Sequence, residues 1–312
     1  MTRRRRLIHT VFLFLLPLIV AVFGVGVVMA ALLVMAMLLW RWLIALSGIF
    51  VPEKAPKLEL EVTEVSHFSE KVRWCMDRLG LDYKERRTAG VIGIFFTGRT
   101  VPRLRVRTGL VQSEIGNSAE ILRYLWGAYA AEQGDKAAFL EPTPERVELE
   151  KRLDRYGGNL QVWVFNDLLH DRNLALQVWG ANSTHTPGWQ RLVLVASFPI
   201  LRALMKRSLR LSDARAIKSA GYIEELLSDV DTRLADGRRS ILGGDEINYT
   251  DIAFASLSAL WLRPENFASG TSAAVRVSEE QAPKKMLEDV ERWREDFPRA
   301  TAFVERLYEE ER

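Results

Sequence analysis

Two serines, Ser66 and Ser69, stand three residues apart where one hydrophobic spacing gives way to another. Upstream, Leu58 to Thr63 alternates apolar and polar residues with period two, the spacing of a half-buried strand. Downstream, Val72, Cys75, Met76 and Leu79 recur at helical spacing, and Gly80 supplies a stop. A serine that opens a helix can cap its free amides; its hydroxyl can equally hold an anion, because the helix dipole favours negative charge there. Ser118, read as the N-cap of a helix through Ala119 to Leu125, has the same two readings. Other chemistry is excluded. A single cysteine makes no internal disulfide, CxxC pair or thiolate zinc cluster, and no metal site is expected. That cysteine, Cys75, falls on the apolar side of its helix and reads as a core thiol.

The elements that must position these residues lie in a chain of 312 residues, 48% hydrophobic and 27% charged. This composition excludes a disordered chain, a collagen and a disulfide-stapled miniprotein. Of 43 basic residues, five arginines (Arg3, Arg4, Arg5, Arg6, Arg41) fall in residues 1–50, which hold no carboxylate. The remaining 38 bases meet 40 acids in 51–312, so no nucleic-acid partner is expected.

Leu7 to Trp40 carries no charge with His9 neutral. As a helix it would run about 51 Å, against a bilayer core of roughly 30 Å. It is too long for a secretory signal, and Met29-Ala30-Ala31 is followed by more Leu and Val rather than a polar mature start. Residues 1–50 are therefore read as a membrane anchor, either one tilted span or a hairpin of about 7–23 and 27–46 turning at Gly24-Val25-Gly26. The hairpin is preferred. It keeps both Arg3 to Arg6 and Arg41, flanked by Trp40 and Trp42, at the cytoplasmic interface, which places the soluble body on the cytoplasmic face.

Residues 51–57 form a Pro-punctuated linker. Then come the Leu58–Thr63 strand, the Ser66–Leu79 helix, a strand over Asp82–Arg87 and a short distorted helix between Gly90 and Gly98. A hairpin of Arg103–Val106 and Leu110–Gln112 and the Ser118 helix complete a β-α-β-α-β-β-α order, assigned to residues 58–130. Residues 140–312 read as all-helical, with candidates Glu145–His170, Gln190–Lys206, Ser212–Leu234, Tyr249–Leu262 and Lys284–Glu309.

Three segments in this order resemble the cytosolic glutathione S-transferase superfamily: Ser66-His67-Phe68-Ser69-Glu70-Lys71-Val72-Arg73 with Gly80-Leu81-Asp82-Tyr83; Thr100-Val101-Pro102-Arg103-Leu104 with Asn117-Ser118-Ala119-Glu120-Ile121; and Asn248-Tyr249-Thr250-Asp251 as a helix capping box. The resemblance covers roughly 58–312. It implies a thioredoxin-like α/β domain followed by an all-α domain, here preceded by a hydrophobic membrane helix or hairpin. It also implies glutathione as cosubstrate, with Ser66, seconded by Ser69, stabilising its thiolate. The main chain of Val101, beside a cis Pro102, would pair with the cysteinyl group, and Asn117 and Ser118 would take the γ-glutamyl end. Asn117 departs from the family's usual Glu or Gln. His67 replaces a common proline and reads as an exposed turn residue. Asp251 is structural. Trp163, Trp179, Trp189 and Arg191 are expected in core packing, with an acceptor pocket as the alternative. The expected protein is a membrane-anchored transferase acting on a hydrophobic small-molecule electrophile, with the lipid bilayer as a partner and a homodimer admitted. The rival is a non-catalytic tethered adaptor similar to metaxins.

Overall fold

The computed structural model describes residues 19, 23–24, 26–50, 55–89, 91–93, 101–109 and 111–312, which fall into two compact units. The first contains α1 (Val27–Phe50). Within it Val27–Leu46 is long and apolar enough to cross a bilayer, and only 6% of the span is buried. Trp40 and Trp42 are exposed on either side of Arg41. Gly24 and Gly26 take φ of 97° and 84°, a region open to glycine. Most of the expected first limb, residues 7–18 and 20–22, lies outside the described residues, as do 51–54 of the linker.

The second unit builds a four-stranded sheet in the order β2-β1-β3-β4 from β1 (Lys57–Val62), β2 (Tyr83–Arg87), β3 (Arg103–Thr108) and β4 (Val111–Gly116). The strand tips at 57 and 106–113 fall to the first unit. β1 and β2 run parallel, Leu58 opposite Tyr83, joined by α2 (His67–Leu79). The period-two pattern of β1 works as expected: Leu58, Leu60 and Val62 are buried. The alternate Glu59 and Glu61 are both held by Arg105 from β3, at 2.6 and 3.0 Å. Residues 91–93 are helical, and 94–100 lie outside the described residues. The peptide bond between Val101 and Pro102 is cis. α3 (Ser118–Gln133) closes this α/β part.

Helices follow: α4 (Pro144–Leu168), α5 (Arg172–Val178), α6 (Gly188–Ala196), α7 (Phe198–Leu209), α8 (Asp213–Arg233), α9 (Tyr249–Leu262), α10 (Lys284–Asp296) and α11 (Pro298–Glu310). This is the thioredoxin-like and all-helical architecture that the sequence implies. Two of the long helices expected are each two. Lys284–Glu309 breaks at Phe297, because Pro298 has no amide to donate and pushes the residue before it out of the helical region. Gln190–Lys206 breaks at Ser197, two residues before Pro199. α5, capped by Asp171, is short enough to escape a periodicity reading.

α9 is buried around almost its whole circumference and packs on both α2 and α4. Its start carries the expected capping box: Asn248 accepts the Thr250 amide at 2.9 Å and Asp251 accepts the Asn248 amide at 2.8 Å. Asp251 also accepts the Ile241 amide and the Ser240 hydroxyl, so its role is structural. Close approach decides the geometry between α2 and α4. A Cβ on Gly157 would lie 2.7 Å from the Phe68 ring and 2.8 Å from the Leu257 side chain, whereas one on Gly158 would meet nothing within 4 Å.

The two adjacent glycines therefore give opposite expected outcomes. Gly158→Ala should stabilise by about 0.5–1 kcal/mol through helix propensity. Gly157→Ala should destabilise by about 1–3 kcal/mol through overpacking. Urea unfolding of both variants checks this, and equal shifts would rule out the close packing of Phe68 on α4.

Candidate functional site

The turn that leads from β1 into α2 is fixed by its backbone. The Ser66 amide donates to the Thr63 carbonyl at 3.0 Å, and the Glu70 amide to the Ser66 carbonyl at 3.0 Å. Ser66 is the N-cap, extended at φ −75° and ψ 109°, and its Oγ accepts the Ser69 amide at 3.2 Å. Among the described residues that Oγ donates to nothing, so its own proton remains to be given. Ser66 is half-buried; Ser69 is fully buried, and among the described residues its Oγ has no partner. The helical part secures the same turn through Glu64: its carboxylate accepts from Ser183 Oγ at 2.6 Å and its carbonyl from Ser272 Oγ at 3.2 Å.

His67 is not exposed. Only 3% of it is accessible, its ring lies 4.4 Å from that of Phe68, and it shares a hydrogen bond with the Gly157 backbone. The turn faces α4 rather than solvent, which the local sequence does not disclose. Burial pushes the imidazole down to about 3, a little offset by the Gly157 bond, so it is neutral. Cys75 is a core thiol as expected, and burial pushes it up to about 12. It stays protonated and unreactive.

At α3 the cap is Asn117 rather than Ser118. Asn117 sits at φ 72° and ψ 132°, outside the left-handed helical region, and its Oδ1 accepts the Ala119 amide at 3.1 Å. Ser118 is thus the first helical residue and is buried. The helix begins one residue earlier because Asn competes well with Ser as a cap. Val101 is half-buried at the entry to β3, with Pro102 buried behind it.

One carboxylate relates these helix starts. Glu150 on α4 accepts Lys71 of α2 at 2.8 Å through Oε1 and Arg123 of α3 through Oε2. Arg123 continues to the Tyr249 hydroxyl on α9 at 3.0 Å. Lys71 and Glu150 are both buried.

A cavity of about 140 Å³ opens beside the turn. Val65, the residue before Ser66, forms part of its wall, with Trp163, Leu168, Val178, Trp261 and Met286. Of the aromatic and basic residues singled out above, Trp163 lines this cavity while donating Nε1 to Asp289 at 2.9 Å. Trp179 is core, and Arg191 bonds the Ser183 carbonyl at 2.8 Å. Trp189 is exposed, against the expectation of core packing. Sequence reasoning missed Glu64, Glu150 and most of the cavity wall. The partners that give Glu64 and Glu150 meaning are 27 to 208 residues away, so no local spacing signals them. Among the described residues no cluster could hold a metal ion.

No protein-family model matches the chain, and no curated protein matches it in sequence. Among solved structures, it is similar to a glutathione S-transferase of Methylobacterium radiotolerans in complex with glutathione sulfonate, at 15% identity over 80% of this chain and 90% of that one, with a TM-score of 0.48. A glutathione S-transferase of Methylobacillus flagellatus with glutathione bound matches at 13% identity over 80% and 93% of the two chains, TM-score 0.45. FzlA from C. crescentus matches at 14% identity over 80% and 91%, TM-score 0.40. These are likenesses of fold, whose assignment rests on the strand and helix order described above.

The buried imidazole makes stability depend on pH. His67 is depressed in the folded chain, so the unfolded chain binds its proton first, and stability is lost as pH falls from about 6.5 toward 3. Between pH 6.5 and 5 the loss should amount to about 1.5 kcal/mol. His67→Gln should abolish that slope, measured by denaturant unfolding at the two pH values. An unchanged slope would show that the imidazole is not buried neutral.

Proposed function

We propose that the protein is a membrane-anchored glutathione S-transferase-like enzyme that joins the glutathione thiol to a hydrophobic electrophile. The observation that carries this reading is that the half-buried hydroxyl of Ser66, with its proton still to give, directly follows Val65 in the wall of an apolar cavity. A thiol of ordinary pKa near 8.5 needs help to ionise at neutral pH. The Ser66 O–H and the first-turn amides of α2 supply donors, and the helix dipole favours the anion.

The residues present fit glutathione at its other end as well. In this reading Ser118 and Asn117 would offer donors at the start of α3 to the γ-glutamyl carboxylate, and the Val101 main chain would pair with the cysteinyl group. Ser69, fully buried beneath Ser66, supports the turn through its amide. A cavity of about 150 Å³ takes a benzene-sized ligand, so a small aromatic or alkyl electrophile suits the space beside Val65. Thiolate attack forms the carbon–sulfur bond as the electrophile's leaving group departs, and the thiol proton passes to solvent.

A tethered adaptor of the same fold is the second reading, and one contact favours it. The Asn117 side chain is already engaged by the Ala119 amide, where the family's longer Glu or Gln would have more reach. Retention of the detergent-solubilised chain on glutathione-agarose separates the two readings, since an adaptor without a glutathione site would pass through. With a generic aryl halide, Ser66→Ala should lose activity on the order of 10²-fold, as when one anion-stabilising donor is removed. Ser69→Ala should keep most of it. Full activity in Ser66→Ala would overturn the assignment.

The body faces the cytoplasm in this reading, because Arg3 to Arg6 and Arg41 flank the apolar segment on both sides and a hairpin leaves neither flank on the far side. Protease added to intact cells or spheroplasts should leave residues 58–312 uncut. Digestion from outside would reject that orientation.

A further inference from the structure

Outside the N-terminal apolar segment that holds Ile19, Phe23 and α1, the exposed large apolar side chains of the described residues gather in one stretch. Val111 stands apart; Trp189, Leu192, Val195, Ile200, Leu204 and Ile217 all fall between the start of α6 and the first turns of α8. Trp189, Leu192 and Ile200 are 62%, 70% and 60% exposed. In α7 the buried positions are Phe198, Leu201 and Met205, while Ile200, Ala203, Leu204 and Arg207 are exposed. Helical spacing therefore sets an apolar stripe on the solvent side and ends it in a guanidinium. α6 does the same with Trp189, Leu192 and Ala196, opposite buried Gln190 and Leu194. Exposed apolar stripes rimmed by polar residues mark interaction surfaces.

Charge singles out the same stretch. From Arg172 to Ser212 there are six basic residues and no carboxylate. Arg172 and Arg191 donate to backbone carbonyls. Arg202, Lys206, Arg207 and Arg210 have no carboxylate partner among the described residues. Arginines of the α/β part behave differently: Arg73, Arg105 and Arg123 are all ion-paired. Just beyond α7, a cleft beside Tyr222 is lined by Arg155, Arg210, Arg215 and Lys218, again with no acid in its wall.

We propose that α6 and α7 form a second membrane-contact surface, lying in the plane of the bilayer, with the apolar stripe in the interfacial layer and the flanking bases on anionic lipid phosphates. A basic amphipathic helix with Trp and Leu on its apolar face has this behaviour. Lipid is favoured over a second copy as occupant because a two-fold interface would bring this basic face against itself. Lipid is also at hand. The seven residues between Phe50 and Leu58 reach at most about 25 Å, so a bilayer crossed by α1 is within range of the body. The proposal does not depend on the transferase reading.

The test uses the full chain carrying an environment-sensitive fluorophore on Ala203→Cys; the native thiol, Cys75, is buried and escapes the label. The chain is inserted in vesicles of phosphatidylcholine alone or mixed with phosphatidylglycerol. The probe should shift to the blue and be quenched by nitroxide-labelled acyl chains in the mixed vesicles, while the same probe on Glu148→Cys stays unmoved. Lys206→Glu with Arg207→Glu should weaken the response on the order of tenfold. Ile200→Ser with Leu204→Ser should abolish it, with folding of each variant verified by its thermal transition. Inorganic phosphate without vesicles should produce no shift. Identical spectra in the two vesicle types would overturn the proposal. A blue shift in detergent alone that grows with protein concentration would do the same, since it would assign the face to a second copy.

Discussion

Glu150 governs how the second unit presents its helix starts. Lys71 is fully buried, and a buried ammonium is tolerated only with a charged partner that also satisfies its hydrogen bonds. One oxygen of Glu150 meets that need and the other takes Arg123. Because Lys71 belongs to α2 and Arg123 to α3, a single side chain on α4 fixes the two helices that begin at Ser66 and at Asn117. α2 cannot turn about its axis without stranding the buried Lys71. The Arg123 contact with Tyr249 extends the constraint to α9, whose own start is pinned by the Asn248–Asp251 box.

The remaining buried charges of α2 bear on the electrostatics of its N-terminus. Glu70 lies in the first turn, where an uncompensated carboxylate would repel an incoming anion. It is paired on one side with Arg73 at 2.5 Å and on the other with Arg312 at 2.7 Å, and Arg73 is further tied to Glu85 of β2 at 2.8 Å. Two guanidiniums around one buried first-turn carboxylate leave the positive end of the helix dipole available to a ligand. The same pairs bind α2 to the sheet and to Arg312, two residues past the end of α11. The features that would make the site attractive to an anion thus also hold the site in place.

Much of this was legible in the sequence because it is local. The alternation of Leu58, Leu60 and Val62, the helical spacing of Val72, Cys75, Met76 and Leu79, and the box at Asn248 each need only a few neighbouring residues. What depends on distant residues was not legible. His67 reads as a turn residue until α4 is seen to cover it, and Gly157 reads as a helix defect until Phe68 is seen to lie on it. Glu150 is one acid among forty in the chain, and only the fold gives it Lys71 and Arg123. The breaks at Pro199 and Pro298 are different. There the local signal was present, and apolar periodicity on both sides masked it.

Charge balance carries the last step. The chain's surplus of bases belongs to residues 1–50, and the rest is nearly balanced, with 38 bases and 40 acids. That balance conceals a separation. Setting aside the six bases of Arg172 to Ser212 leaves 32 bases against 40 acids in the remainder of 51–312, an acidic body with one basic segment. In the proposed contact, an anionic bilayer would attract α6 and α7 over about a Debye length before any apolar contact forms. With the body tethered as proposed, charge separation would select the face that turns toward the surface. An apolar stripe without the bases would bind lipid or another apolar face without preference, and bases without the stripe would hold the body loosely and release it in salt. The two occur together on the same helices, so orientation and attachment come from the same residues.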